Sequence, residues 1–127
     1  MQKTTVLTLN KDYKRLYFRG KSTVDSALVT YAIKNRTPEQ NRIGITVSKK
    51  VGKAVCRNRC KRIIRAAYRE IENEIPNGWD FVFVARAKTA NMKSTELSAV
   101  MRKQIKNLTT KTTNTQQKKK SSEPKTK

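Results

Sequence analysis

The chain has 127 residues, enough for one compact domain and a tail but too few for two ordinary domains. Its 30 lysines and arginines against 9 acids give a formal net charge of +21, and self-repulsion on that scale implies a polyanionic partner, either nucleic acid or an anionic membrane. There is no histidine, the usual general base of a protein nuclease, and no apolar run approaches the roughly 20 residues of a spanning helix, so the expectation is a cytoplasmic protein that works without a membrane.

The N-terminal MQKTTVLTLNKDYK has no signal-peptide core, and residues 1–8 are expected to be a flexible lead-in. Residues 10–20, NKDYKRLYFRG, carry helix punctuation: Asn10 caps the start, Asp12 suits the positive end and Gly20 the stop. Tyr13, Leu16 and Tyr17 make one face of that helix. Residues 26–33 read as a strand with Val29, Tyr31 and Ile33 on one side, expected in the core. The polar KNRTPEQN is a loop, and residues 42–48 form a second strand with Ile43, Ile45 and Val47 on one face. These two strands are expected to pair antiparallel across the loop.

A basic loop around Gly52 leads into a helix over about 54–75, whose apolar positions are Cys56, Cys60, Ile63, Ile64, Ala67, Ile71 and Ile75. Pro76, Asn77 and Gly78 end it. Cys56 and Cys60 lack the further ligands of a zinc site and read as small residues on the buried helix face. WDFVFVAR, residues 79–86, is apolar on both faces, as in a central strand. Residues 94–107 form a last helix with a Leu97, Val100, Met101, Ile105 stripe. The expected fold is therefore a small α+β sandwich of order αββαβα, with helices packed on a sheet. The domain spans 9–107, and the lysine-rich 108–127, without apolar content over most of its length, is expected to be a disordered tail.

Nine lysines and arginines occur between Lys49 and Arg69 with no acid among them. On the helix, Arg57, Lys61 and Arg65 lie four apart on one line, with Asn58, Arg62 and Arg69 beside it; Lys49, Lys50 and Lys53 add charge at the entrance. Like charges at that spacing destabilise an isolated helix. Guanidinium forks match phosphate bidentately, and an amide reads a base or sugar edge, so this face suits RNA or DNA phosphates. An interfacial membrane helix is disfavoured, because the apolar face has no Trp or Phe and is needed by the sheet.

KKVGKAVCRNRCKRIIR, residues 49–65, resembles the signature of the bacterial ribonuclease P protein subunit, centred on Arg57-Asn58-Arg59 followed by Lys61-Arg62 and Arg65. Asp12-Tyr13, Tyr17 and Gly20 fit the upstream pattern, as does GITVSKKVG at 44–52, and the likeness in element order spans roughly 9–107. The resemblance implies a protein that partners a catalytic RNA and precursor tRNA in removing the 5′ leader. The RNA performs the hydrolysis with magnesium, and the chain supplies no catalytic group and binds no cofactor. It implies that Arg57, Asn58, Arg59, Lys61, Arg62 and Arg65 face RNA, and that Tyr13, Tyr17, Val29 and Tyr31 line a groove for the leader, with Tyr where the family usually has Phe at the first two positions. It also implies an unusual left-handed βαβ crossover, against the right-handed rule.

Three other readings compete. A ribosomal RNA-binding protein fits the size and charge but not the 49–65 signature. A protein nuclease would have to be built from Glu70, Glu74, Asp80 and Asp12, which show no converging pattern in sequence. A DNA-binding module lacks any recognised motif, and no DNA partner is expected.

Overall fold

The computed structural model describes residues 4–7, 10–35 and 39–109. Its elements are β1 (Thr4–Val6), α1 (Asn10–Arg19), β2 (Lys21–Val24), β3 (Leu28–Lys34), β4 (Asn41–Thr46), α2 (Ala54–Ile71), β5 (Trp79–Ala85) and α3 (Ser94–Thr109), with short 3-10 turns at Lys49–Val51, Glu72–Glu74 and Ala87–Asn91. They form one five-stranded sheet of order β1-β4-β5-β3-β2, an α+β fold. The expected tail lies outside the described residues from 110 onward; Leu108 and Thr109 still belong to α3.

β5 is central because it is apolar on both faces and both are covered. Trp79, Phe81, Phe83 and Ala85 pack with α2 and α3, and Val82 and Val84 pack on the other side with Leu16 of α1. This central place corrects one expectation. β3 and β4 do not pair with each other: β5 lies between them, parallel to β4 and antiparallel to β3. A strand that is apolar on both faces apart from Asp80, placed at an edge, would leave one row of backbone groups unpaired and much apolar surface wet, and insertion between β3 and β4 removes both costs.

The side of β3 assigned to the core is also corrected. Leu28, Thr30 and Ala32 face the larger core under α2 and α3, whereas Tyr31 and Ile33 are half-buried beneath α1, with Val29 on the same face. Thr30 is satisfied there by donating to the Gln104 Oε1 at 2.7 Å, and Gln104 Nε2 donates to the Leu28 carbonyl at 2.8 Å.

Residues 4–7 are not the flexible lead-in expected for 1–8. Thr4–Val6 pairs parallel with Asn41–Ile43, and the Leu7 amide continues the ladder to the Ile43 carbonyl at 2.8 Å. The Thr4 hydroxyl donates to Glu72 Oε2 at 2.6 Å, so the fully buried Tyr68 hydroxyl, 2.9 Å away, donates to Thr4. Burial raises the Tyr68 pKa, and its bonds to Thr4 and Asn41 offset part of that rise. The strand thus ties the chain start to α2. Thr4→Val keeps the shape and removes both bonds, so it is expected to cost about 1–2 kcal/mol by denaturant titration. An unchanged midpoint would show that this strand does not brace α2.

Candidate nucleic-acid interface

α2 buries Cys60, Ile64, Ala67, Tyr68 and Ile71 and turns its basic residues outward. Lys49 and Lys50 are exposed on the 3-10 turn before it, Lys53 is exposed at its N-cap, and Asn58, Arg59, Lys61, Arg62, Arg65 and Arg69 are exposed along it. Arg57 is half-buried and donates through Nη1 to the Gly52 carbonyl at 3.2 Å. Gly52 has φ +151°, a backbone that side chains rarely adopt, and a Cβ there would lie 3.1 Å from Cys56. The turn therefore requires glycine where the basic loop bends into the helix.

None of the nine lysines and arginines among the ten predicted α2 and loop residues is ion-paired with a described acid. The first turn of α2 contains no acid and Lys53 makes no side-chain cap bond, so the positive end of the helix dipole adds to the field of the lysines. Helical phase puts Arg59 at one margin of the patch, about 60° around the axis from Arg62 but about 160° from Lys61. Both thiols are free, and burial, followed by the neighbouring Cys56, pushes the Cys60 thiol upward in pKa.

The aromatic residues assemble under and beside α1. Tyr17 and Tyr31 meet edge to face, with ring centroids 4.9 Å apart and planes at 80°. The Tyr17 hydroxyl is 3.4 Å from Thr46 Oγ1, and 40% of the residue is exposed. Tyr13 is half-buried, its hydroxyl donates to the Leu7 carbonyl at 3.4 Å, and its pKa is raised by burial and then by Tyr17. Its ring lies over Gly44, where a Cβ would stand 2.5 Å from the hydroxyl oxygen. Gly44 thus admits the ring to the sheet surface. Val29 completes the row opposite Val84. The basic helix reaches the same place: Lys61 and Arg65 line a cavity of about 150 Å³ with Val6, Tyr13, Ile43 and Ile45.

What holds α1 over the sheet is a buried carboxylate that the sequence does not advertise. Asp80 is fully buried, and its carboxylate accepts four hydrogen bonds. Arg42 grips it side-on, with Nε to Oδ1 at 3.0 Å and Nη2 to Oδ2 at 2.6 Å. Arg15 of α1 reaches Oδ2 at 2.7 Å, and Asn35 Nδ2 reaches Oδ1 at 2.9 Å. Asp12 adds a longer 3.5 Å pair to Arg42, whose pKa is raised chiefly by its hydrogen bonds to Asp80.

The remaining candidate acids are likewise engaged. Glu74 is paired with Arg102, and Glu70 accepts from the Ser98 hydroxyl at 3.2 Å. Among the described residues no three Cys, Asp or Glu converge as a metal cage, and no helix is long and apolar enough to cross a membrane. Asp80, the most buried of the carboxylates, does not suit a magnesium ion, because it is already enclosed by cationic forks.

The chain matches the family model Ribonuclease P over residues 1–118. A ribonuclease P protein component of Clostridioides difficile is 40% identical over 111 residues, covering 87% of this chain and 93% of that one. One of Clostridium botulinum is 49% identical over 78 residues, covering 61% and 69%. The RNase P protein of Staphylococcus aureus superposes with a TM-score of 0.71 at 30% identity, covering 82% of this chain and 94% of that one. The RNase P protein from Thermotoga maritima gives 0.71 at 30% identity, covering 80% and 94%. Signature, fold and match over most of the length agree, and the chain belongs to the ribonuclease P protein family.

Proposed function

We propose that the chain serves ribonuclease P, the endoribonuclease that removes the 5′ leader of precursor tRNA, by holding two RNAs on adjoining surfaces. The catalytic RNA lies against α2 and its entrance loop, on Lys49, Lys50, Lys53, Arg57, Asn58, Arg59, Lys61, Arg62, Arg65 and Arg69. The single-stranded leader lies in the groove of Tyr13, Tyr17, Val29 and Tyr31. Hydrolysis belongs to the RNA with its magnesium ions, and the chain contributes phosphate neutralisation and grip. It works in the cytoplasm, where tRNA precursors are matured.

The observation that carries this reading is the meeting of Lys61 and Arg65 with Tyr13 around one cavity. Aromatic faces accept unstacked bases, and cations at the rim accept the phosphates that follow them, which is how single strands are held with little sequence preference. The test is reconstitution: precursor tRNA cut at the 5′ end at low magnesium only when both chain and catalytic RNA are present. Cleavage by the chain alone would overturn it. Tyr17→Ala is expected to weaken holoenzyme affinity for leader-bearing tRNA about fivefold, at the low end of the loss of one base–aromatic stack, and to leave leaderless tRNA unchanged. Equal losses on both substrates would assign Tyr17 to packing.

A further inference from the structure

Phe18 is 86% exposed, and it belongs to neither core cluster. A lone exposed apolar side chain is commonplace. What distinguishes this one is its surroundings. It lines an open cleft of about 720 Å³ on the outer flank of α1 with Lys11, Lys14, Arg15, Arg19 and Arg42, and the single acid there is Asp12. Arg15 and Arg42 are occupied by Asp80, and Asp12 is paired to Arg42. Among the described residues Lys11, Lys14 and Arg19 have no ion pair, so three cations around one aromatic face stay uncompensated.

Helical phase connects this cleft with the tyrosine groove. Successive residues turn about 100°, so Lys14 falls between Tyr17 and Phe18 around α1, with Lys11 just beyond Phe18. A strand leaving Tyr17 therefore meets a cation, then an aromatic face, then further cations. That alternation is the requirement of single-stranded RNA: a π-face for a base and a positive charge for each flanking phosphate. Duplex RNA does not meet it, because its bases are stacked inside and its deep groove is closed to side chains.

We propose that the outer flank of α1 is a second station for the precursor leader, with Phe18 stacking a base upstream of those held by Tyr13 and Tyr17, and Lys11, Lys14 and Arg19 taking the adjoining phosphates. This rests on the groove reading above. Leaders too short to pass over α1 gain nothing from the station, whereas longer leaders bind more tightly.

The experiment measures affinity of the reconstituted holoenzyme for precursor tRNAs whose leaders lengthen one nucleotide at a time. Phe18→Ala is expected to match the parent protein on short leaders and to bind about tenfold more weakly once the leader passes a threshold length. Phe18→Tyr restores the long-leader affinity, and Phe18→Leu does not, since it keeps apolar area without a π-face. Lys14→Ala lowers the salt slope by about 0.7 on long leaders only. A Phe18→Ala loss on leaderless tRNA, or restoration by leucine, overturns the station.

Tyr17→Ala separates the two readings. A Tyr17→Ala loss on short leaders with no Phe18→Ala loss at any length removes the station and leaves the groove standing. A Phe18→Ala loss with none from Tyr17→Ala removes the groove, and the continuous track with it.

Discussion

Arg42→Ala is expected to destabilise the fold by about 3 kcal/mol, lowering the melting midpoint by roughly 13 °C. Asp80 has no exposed surface, and Arg42 supplies two of the four hydrogen bonds its carboxylate accepts. Removing one partner of a buried ion pair is costly because the other charge stays desolvated, typically about 3–5 kcal/mol. The lower figure applies here because Arg15 and Asn35 remain. Arg15→Ala takes away a single bond and is expected to cost about half as much, and the double substitution more than the sum, since Asp80 then has no cation. Asp80→Asn is expected to be milder than the double arginine variant. Its arginines are each 31% exposed and can turn to water, which a buried carboxylate cannot do. Thermal melts of the four variants check this order; an Arg42→Ala loss below about 1 kcal/mol would mean that Asp80 is not a buried charge held by its partners.

The same cluster explains why part of the site was illegible in the sequence. Asp80 reads as a lone acid in an apolar run, and Arg15 and Arg42 stand 65 and 38 residues away, with no local pattern linking the three. The basic helix is legible because its signal is local: charges and apolar residues alternate at 3.6-residue spacing after a turn-forming Gly52, although the α-helix ends at Ile71 and a 3-10 turn at Glu72–Glu74, not helix, fills the expected span up to Pro76. β5 was legible because a strand apolar on both faces has few places to go.

Alternation along β3 does not identify the core side because helices cover both sheet faces. Leu28, Thr30 and Ala32 on one side and Tyr31 and Ile33 on the other are all at least half-buried, so alternation no longer says which side is the main core. The periodicity assigns Tyr31 to the main core, whereas the structure half-buries it on the opposite sheet face, beneath α1. β2 gives no sequence signal because KSTV at the sheet edge is mostly exposed and has no apolar alternation, and β1 gives none because three residues carry no period. Phe18 lies off the Tyr13, Leu16, Tyr17 stripe, so a search for core positions passes over it.

Arg62→Ala combined with Arg65→Ala is expected to weaken binding of the catalytic RNA about 30-fold near 0.15 M salt. Both side chains are exposed and neither is paired with an acid, so the substitutions remove charge without stranding a partner or opening the core. Each phosphate contact on a duplex contributes a slope of about 0.9 in log affinity against log salt, or about fivefold at 0.15 M relative to 1 M, and two contacts multiply. The salt slope should therefore fall by about 1.8, and the parent and variant titrations should converge near 1 M. Arg62→Lys with Arg65→Lys is expected to keep the slope while losing part of the affinity, because an ammonium preserves the charge but not the bidentate fork.

Arg102→Ala is the control for the loss of a single cation elsewhere. Its guanidinium lies on α3 and is held by Glu74, so the substitution removes one cation from the total without altering any residue of the proposed surface. A fall in slope of about 0.9 for this control, half that of the double substitution, would mean that the RNA responds to the net charge of +21 rather than to a face of α2. A loss confined to Arg62 and Arg65 would mean that the helix tolerates its like charges because phosphate, not a protein carboxylate, is the partner for which they are arranged.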